Sequence, residues 1–182
     1  MSNIDSIPAL VREYDVHHAL TLYPEWAWSI AALDKRVENR SGRSPVVAAA
    51  RKLIGKPLAI HAGAKLVDVD GMRITARWEG WSFSHARATV VPARGPTAPA
   101  TVETTIISKG PRRIELDTRL EQAIACSAIV AVVRPIEVLE PGAKRAPWHA
   151  RDEYGIRFEL VAALPRPITA KGAQGVWRLD GR

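Results

Sequence analysis

The sequence predicts an α+β fold built on an antiparallel or barrel-like sheet. Three observations predict it: helical patterns come early, strand patterns come late, and no regular βαβ rhythm joins them. The run Ala128-Ile129-Val130-Ala131-Val132-Val133 is continuous and apolar, so it reads as a central strand covered on both faces. The 182 residues fit one domain, or one domain with an insertion. That length can bury a core without covalent staples. Hydrophobic residues make up 47% of the chain, which excludes a disordered polypeptide.

Each element follows from its own residues. Met1 to His18 reads as a short lead-in, with the domain spanning 19–182. Ala19-Leu20-Thr21-Leu22 has strand character and Pro24 closes it. Trp26, Ile30, Leu33 and Val37 recur at helical spacing, an amphipathic stripe with Lys35 and Arg36 at its C-terminal end, where cations favour the helix dipole. Val37-Glu38-Asn39-Arg40 then leaves the helix in an extended segment. Ser44-Pro45 is a helix start with Ser44 as cap, Val46, Val47, Ala50, Leu53 and Ile54 supply its apolar face, and Gly55 and Pro57 end it. Leu58-Ala59-Ile60-His61-Ala62 reads as a buried strand ending at Gly63.

The stretch 66–116 reads as an inserted hairpin or pair of hairpins. Arg73 to Trp78 and Thr104 to Ile107 alternate like strands. Asp70-Gly71 is a hairpin turn signal, and the Pro- and Ala-rich tract from Pro92 to Pro99 is a loop. Leu116, Leu120, Ala123 and Ile124 suggest a short helix. Ile156, Phe158 and Leu160 alternate with Arg157 and Glu159, a strand with one wet face. Val176 to Leu179 forms the last strand.

Composition narrows the function classes. The single Cys126 excludes an internal disulfide and a multi-cysteine metal site, and it reads as a small buried apolar residue. Asp5 and Glu13 stand where a secretory signal needs a basic start and an apolar run. No apolar stretch approaches the length of a membrane span, so the expected location is cytoplasmic. The net charge of +7 points to polyanions. Arg43, Arg51, Lys52, Lys56 and Lys65 follow one another with no intervening acid. The bland reading of that run is a solvated surface.

Two segments mix tryptophan with basic and amide side chains. One is Trp26-Ala27-Trp28-Ser29-Ile30 leading to Lys35-Arg36-Val37-Glu38-Asn39-Arg40. The other is Pro167-Ile168-Thr169-Ala170-Lys171-Gly172-Ala173-Gln174-Gly175-Val176-Trp177. Rings stack while Lys and Arg meet charge, a combination that suits nucleic acid. In order, the chain shows Trp-Ala-Trp, Lys-x-x-Glu-x-Arg, an Ile-His-Ala strand, an Ala-Ile-Val strand and Pro-Ile, Lys-Gly, Gln-Gly-Val-Trp. This order resembles the ASCH domain, a branch of the PUA-like superfamily. The matching pieces are 22–40, 57–65, 128–138 and 148–179.

The resemblance implies a small β-barrel flanked by helices, with a cleft between the first helix and the barrel. In the family, nucleic acid or a nucleoside is thought to occupy that cleft. Carried over by residue, the lining falls on Lys35, Glu38 and Arg40. Some small bacterial members hydrolyse acetylated cytidine with a Lys, a Thr three residues later and a distant Glu. Here the Thr place is Glu38, and a carboxylate does not substitute for a hydroxyl nucleophile. No residue is therefore assigned as catalytic.

The expected function is binding of RNA or another single-stranded nucleic acid, or of a modified nucleoside. The expected contacts are Lys35, Glu38, Arg40, Trp28, His61, Lys171 and Gln174. A hydrolase using the same cleft and a protein-interaction adaptor are the alternatives. Trp26 and Trp177 read as core. Trp28 lies off the apolar stripe and is the stacking candidate. For His61 and His149 the plain reading is a satisfied structural histidine. Lys171 to Gly175 reads as a turn presenting Lys171 and Gln174, not as a phosphate loop. No spacing indicates a metal site, and no cofactor is expected.

Overall fold

The computed structural model describes residues 4–32, 35–64, 76–78, 81–83, 86–87, 103–104, 125–143 and 148–179. Its elements run α1 (Ile7–Tyr14), β1 (His18–Leu22), α2 (Pro24–Ala32), β2 (Val37–Arg40), α3 (Pro45–Lys52) and β3 (Leu58–Ala62). Four short strands follow, β4 (Ala76–Trp78), β5 (Trp81–Phe83), β6 (Ala86–Arg87) and β7 (Glu103–Thr104). The chain then makes β8 (Ala128–Leu139), β9 (Tyr154–Thr169) and β10 (Val176–Arg178). Among the described residues, three short helices and a six-stranded curled half-barrel make an α+β fold compatible with a PUA-like frame.

The half-barrel has strand order β10-β1-β3-β8-β9-β2. The β1–β3 pair is parallel and the other neighbours are antiparallel, so the sheet is mixed. The expectation of an antiparallel sheet holds except at that pair. There the return from β1 to β3 passes through α2, β2 and α3, the long crossover a parallel pair requires. The run 128–133 is an interior strand, as expected, and all six residues are buried.

Curvature comes from irregular pairing. The β8–β9 ladder shifts register between Ile129 and Ala131, between Val132 and Val133, and between Pro135 and Glu137. Each extra residue bends its strand and increases local twist. Pro135 sits inside the sheet because it lies at one of these irregularities, and its carbonyl accepts from Gly55 N.

Alternation along the strands divides the core. Leu20, Ile60, Ala131, Val133, Ile156 and Phe158 face one cluster with Ala27 and Ile30 of α2 and Val46 and Ala50 of α3. Ala19, Ala59, Ile129, Val132 and Ile168 face a second cluster with Leu10 of α1. The segment expected as a lead-in thus contributes a helix to the core. Ser6 caps it, accepting from Ala9 N, and Asp15 closes it at a φ of 52°.

The stripe from Trp26 to Val37 does not form one helix. α2 stops at Ala32 and Val37 begins β2. Groups from beyond the helix end satisfy its last carbonyls: Lys35 N donates to Ser29 O and Arg36 Nη1 to Ile30 O. Extension from Val37 then lets β2 pair with Tyr154–Arg157. Ser44 caps α3 as expected, accepting from Val46 N.

Within 66–116, β4 pairs with β5 and β6 with β7, both antiparallel. The turn at Asp70-Gly71, the loop 92–99 and the helix suggested by Leu116 to Ile124 lie outside the described residues.

Phe158 is 2% exposed and is among the largest fully buried side chains. Phe158→Ala is expected to cost about 3–5 kcal/mol, through lost transfer energy and the cavity left behind. Urea unfolding of the two proteins measures it.

Candidate nucleic-acid interface

Lys35, Glu38 and Arg40 meet as a connected chain of charge. Lys35 lies just past α2 and is 3% exposed. Its Nζ donates to Val37 O and to Glu38 Oε2, the latter at 2.7 Å, and sits 5.7 Å from the Trp26 ring centroid. Glu38, 5% exposed, uses its other oxygen on Arg40, at 3.1 Å from Nη2. The Arg40 side chain is 28% exposed, so the chain runs from a buried ammonium to a guanidinium that reaches solvent. Glu38 opposes Ile156 in the ladder, which puts the carboxylate on the face shared with α2 and α3.

Two cations share one carboxylate. Burial lowers the Lys35 pKa from 10.5; Glu38 opposes that by charge and hydrogen bond, and Arg40 adds to the lowering. Arg40 Nε is buried and has no partner, as is Trp28 Nε1. Each such donor costs about 1–3 kcal/mol relative to a satisfied one. Both Glu38 oxygens are engaged, one by Lys35 and one by Arg40, whose buried Nε is left without a partner.

Trp28 is 4% exposed, so protein covers the ring expected to stack. Trp26, expected as core, packs partly buried against the first cluster and lies beside the Lys35 ammonium. The helix ends early, and that places Lys35 against the ring of Trp26.

His61 belongs to a second group on the opposite face of the sheet. It pairs with Ile129 of β8 and with Thr21 of β1. The ring is 2% exposed. Nε2 lies 3.1 Å from Ala170 O and Nδ1 lies 3.2 Å from Thr21 Oγ1. Thr21 Oγ1 donates to Ala173 O at 2.6 Å and accepts from Trp177 Nε1 at 2.9 Å. The Trp177 ring meets His61 edge-on, with centroids 5.6 Å apart. A Cβ at Gly172 would lie 2.2 Å from His61 Cε1, so only glycine lets the backbone lie this close to the ring. His61 is thus a structural histidine, with no surface left for a ligand.

Proton counting fixes its state. Ala170 O only accepts, so Nε2 carries hydrogen. Thr21 spends its one proton on Ala173 O. A second proton on the ring, at Nδ1, could donate to Thr21. One charge-assisted hydrogen bond is worth about 1.5–3 kcal/mol. Burying an unpaired cation costs several kcal/mol. Burial wins, and it lowers the His61 pKa from 6.5 against a smaller opposing effect of Ala170 O.

Lys171 and Gln174 are exposed, as a presenting turn requires. Between them the segment passes from one face toward the other. Gly172 lies on the His61 ring, whereas a Cβ at Gly175 would sit 3.5 Å from Val46 at the start of α3. No hydrogen bond or ion pair joins Lys171 or Gln174 to Lys35, Glu38 or Arg40 among the described residues.

Sequence reasoning missed Asn39. Its amide donates to Trp148 O at 2.8 Å and accepts from Ala150 N at 2.9 Å, which ties the 148–150 loop to β2. An Asn between Glu38 and Arg40 on an edge strand was the available signal. His149 is held separately, with Nε2 2.9 Å from Glu153 O. Among the described residues no cluster of His, Cys, Asp and Glu could hold a metal ion, and no helix is long and apolar enough to cross a membrane. No family model matches the chain, and no curated protein matches it significantly.

Two outcomes follow from this geometry. Glu38→Ala strands Lys35 without its carboxylate and is expected to cost about 3–5 kcal/mol, whereas Lys35→Met combined with Glu38→Leu should recover most of it. Chemical denaturation of the wild type and the two variants tests the pair. Second, the unfolded chain takes up the His61 proton before the folded one does. Stability therefore falls as pH drops below about 6.5 and continues to fall through the lower folded-state value. In His61→Gln that part of the pH dependence should vanish from thermal melts.

Proposed function

We propose that this protein is an ASCH-type module that binds single-stranded nucleic acid, RNA in preference to DNA, at the Arg40 end of the Lys35–Glu38–Arg40 chain. The observation that carries the reading is Arg40 itself. It is partly open to solvent and oriented by a buried carboxylate, although its one unpartnered donor, Nε, is itself buried. A guanidinium so held suits a phosphate or the acceptor edge of a base. Lys35 holds Glu38 in place through a 2.7 Å hydrogen bond, and Glu38 aims Arg40.

The order of sequence motifs and the +7 charge support the same reading. Arg43, Lys52 and Lys56 are exposed and can follow a phosphate backbone. Lys171 and Gln174 supply a cation and an amide from the late segment. Trp26 is the aromatic beside the charge chain. The burial of Trp28 and His61 removes them from direct contact with the ligand and leaves them supporting roles.

Affinity for a single-stranded RNA oligonucleotide should fall steeply with salt. For about three to five phosphates met, the slope of log K against log salt is roughly −2 to −4. Arg40→Ala should weaken binding by about 1–3 kcal/mol if the contact is bidentate. Fluorescence anisotropy measures both. Undetectable binding at low salt would remove the reading and favour an adaptor.

A further inference from the structure

We propose that His61 and Thr21 are positioning residues that latch the segment 170–175 to the sheet, and that a proton arriving at His61 Nδ1 releases the latch. Backbone bonds from Ala170 N to Ser127 O and from Thr21 N to Gly175 O anchor the two ends of the segment, and three contacts hold what lies between them to side chains of the sheet: Ala170 O to His61 Nε2, Ala173 O to Thr21 Oγ1, and Gly172 flat against the ring. Trp177 Nε1 completes the set on Thr21. The side-chain contacts all converge on one histidine and one threonine that are register partners in the parallel pair β1–β3. The turn that presents Lys171 and Gln174 lies between these attachments.

Burial, and not a lack of acceptors, favours the neutral ring: His61 is 2% exposed. Thr21 gives its one proton to Ala173 O at 2.6 Å, so its oxygen could still accept from a protonated Nδ1 at 3.2 Å, one bond against the cost of desolvating the charge. Charging the ring places a cation in a buried site where, among the described residues, no counter-ion pairs with it. The ring faces Thr21 from β1, Trp177 from β10, Ile129 from β8, and the backbone of Ala170, Gly172 and Ala173. None of these is acidic or basic, and Lys171 beside them is exposed. Lifting the segment off the ring hydrates the charge, so acid favours the lifted state. The consequence for ligand affinity rests on the nucleic-acid reading above, whereas the latch itself does not.

NMR of the full-length ¹⁵N-labelled chain tests the latch without ligand. The Trp177 indole N–H and the amides of 171–175 should shift together between about pH 7.5 and about pH 5, with a midpoint below the ordinary histidine range. They should stay in place in His61→Gln. Gly172→Ala pushes a methyl into the ring and should give acid-like signals already at neutral pH, a second route should His61→Gln fail to fold. Signals that never move, or that move alike in a folded His61→Gln through His17, His18 or His149, would overturn the latch. The ligand arm uses a fluorescein-labelled single-stranded RNA of roughly 12 nucleotides. Acidification should weaken its binding by roughly fivefold more in the wild type than in His61→Gln. RNA binding absent at every pH, with the signals moving as described, overturns the nucleic-acid reading and leaves the latch standing. RNA binding present with the signals fixed does the reverse.

Discussion

A lysine ammonium almost wholly out of water has to be answered by a carboxylate, and the candidate site is organised around that demand. Lys35 is 3% exposed and Glu38 is 5% exposed. Neither would be tolerated alone. Their contact requires the chain to leave α2 at Ala32, turn, and enter β2 at Val37. It also requires β2 to sit at the sheet edge beside β9, where Phe158 N reaches back to Arg36 O. Once Glu38 is fixed, Arg40 two residues later inherits its orientation. The fold thus turns a desolvation problem into an aimed guanidinium.

The sheet separates two tasks. On the face shared with α2 and α3, β2 displays the charge chain and α3 begins the exposed basic run. On the face shared with α1, β1 and β3 display Thr21 and His61 to the late segment. The segment 170–175 connects the two, because Gly172 lies against His61 while Gly175 approaches Val46. Glycine is required for different reasons at these positions: contact with the ring at Gly172, and a φ of +74° at Gly175.

Much of the frame was legible in local pattern. The interior strand 128–133 announced itself by an unbroken apolar run, and α3 by Ser44-Pro45. Both signals are local and tertiary structure reinforces them. The Trp26–Val37 stripe misled because a helix and the strand that follows it can present apolar residues at a spacing that fits one helix; the pairing of β2 with β9 decides between them. α1 was passed over although Ile7, Leu10, Val11 and Tyr14 carry a helical stripe. In the site, the motif marked Lys35, Glu38 and Arg40 as cleft lining; that they join as one largely buried ion-pair chain was not legible there. Nor was the burial of Trp28, since lying off one stripe does not mean facing water. That His61 bonds to residues more than a hundred positions away is a property of the assembled sheet, which no local pattern records.

On the proposed reading, the ligand is met at Arg40 and the 170–175 segment, on a frame held by Lys35–Glu38. Chemical-shift mapping of the ¹⁵N-labelled protein with a short single-stranded RNA addresses it most directly. Perturbations are expected to concentrate at 36–41, at the start of α3 and at 171–175, with the amides of α1 unmoved. Perturbations confined to α1 or to surfaces remote from β2, with Arg40 and its neighbours unchanged at saturation, would contradict it.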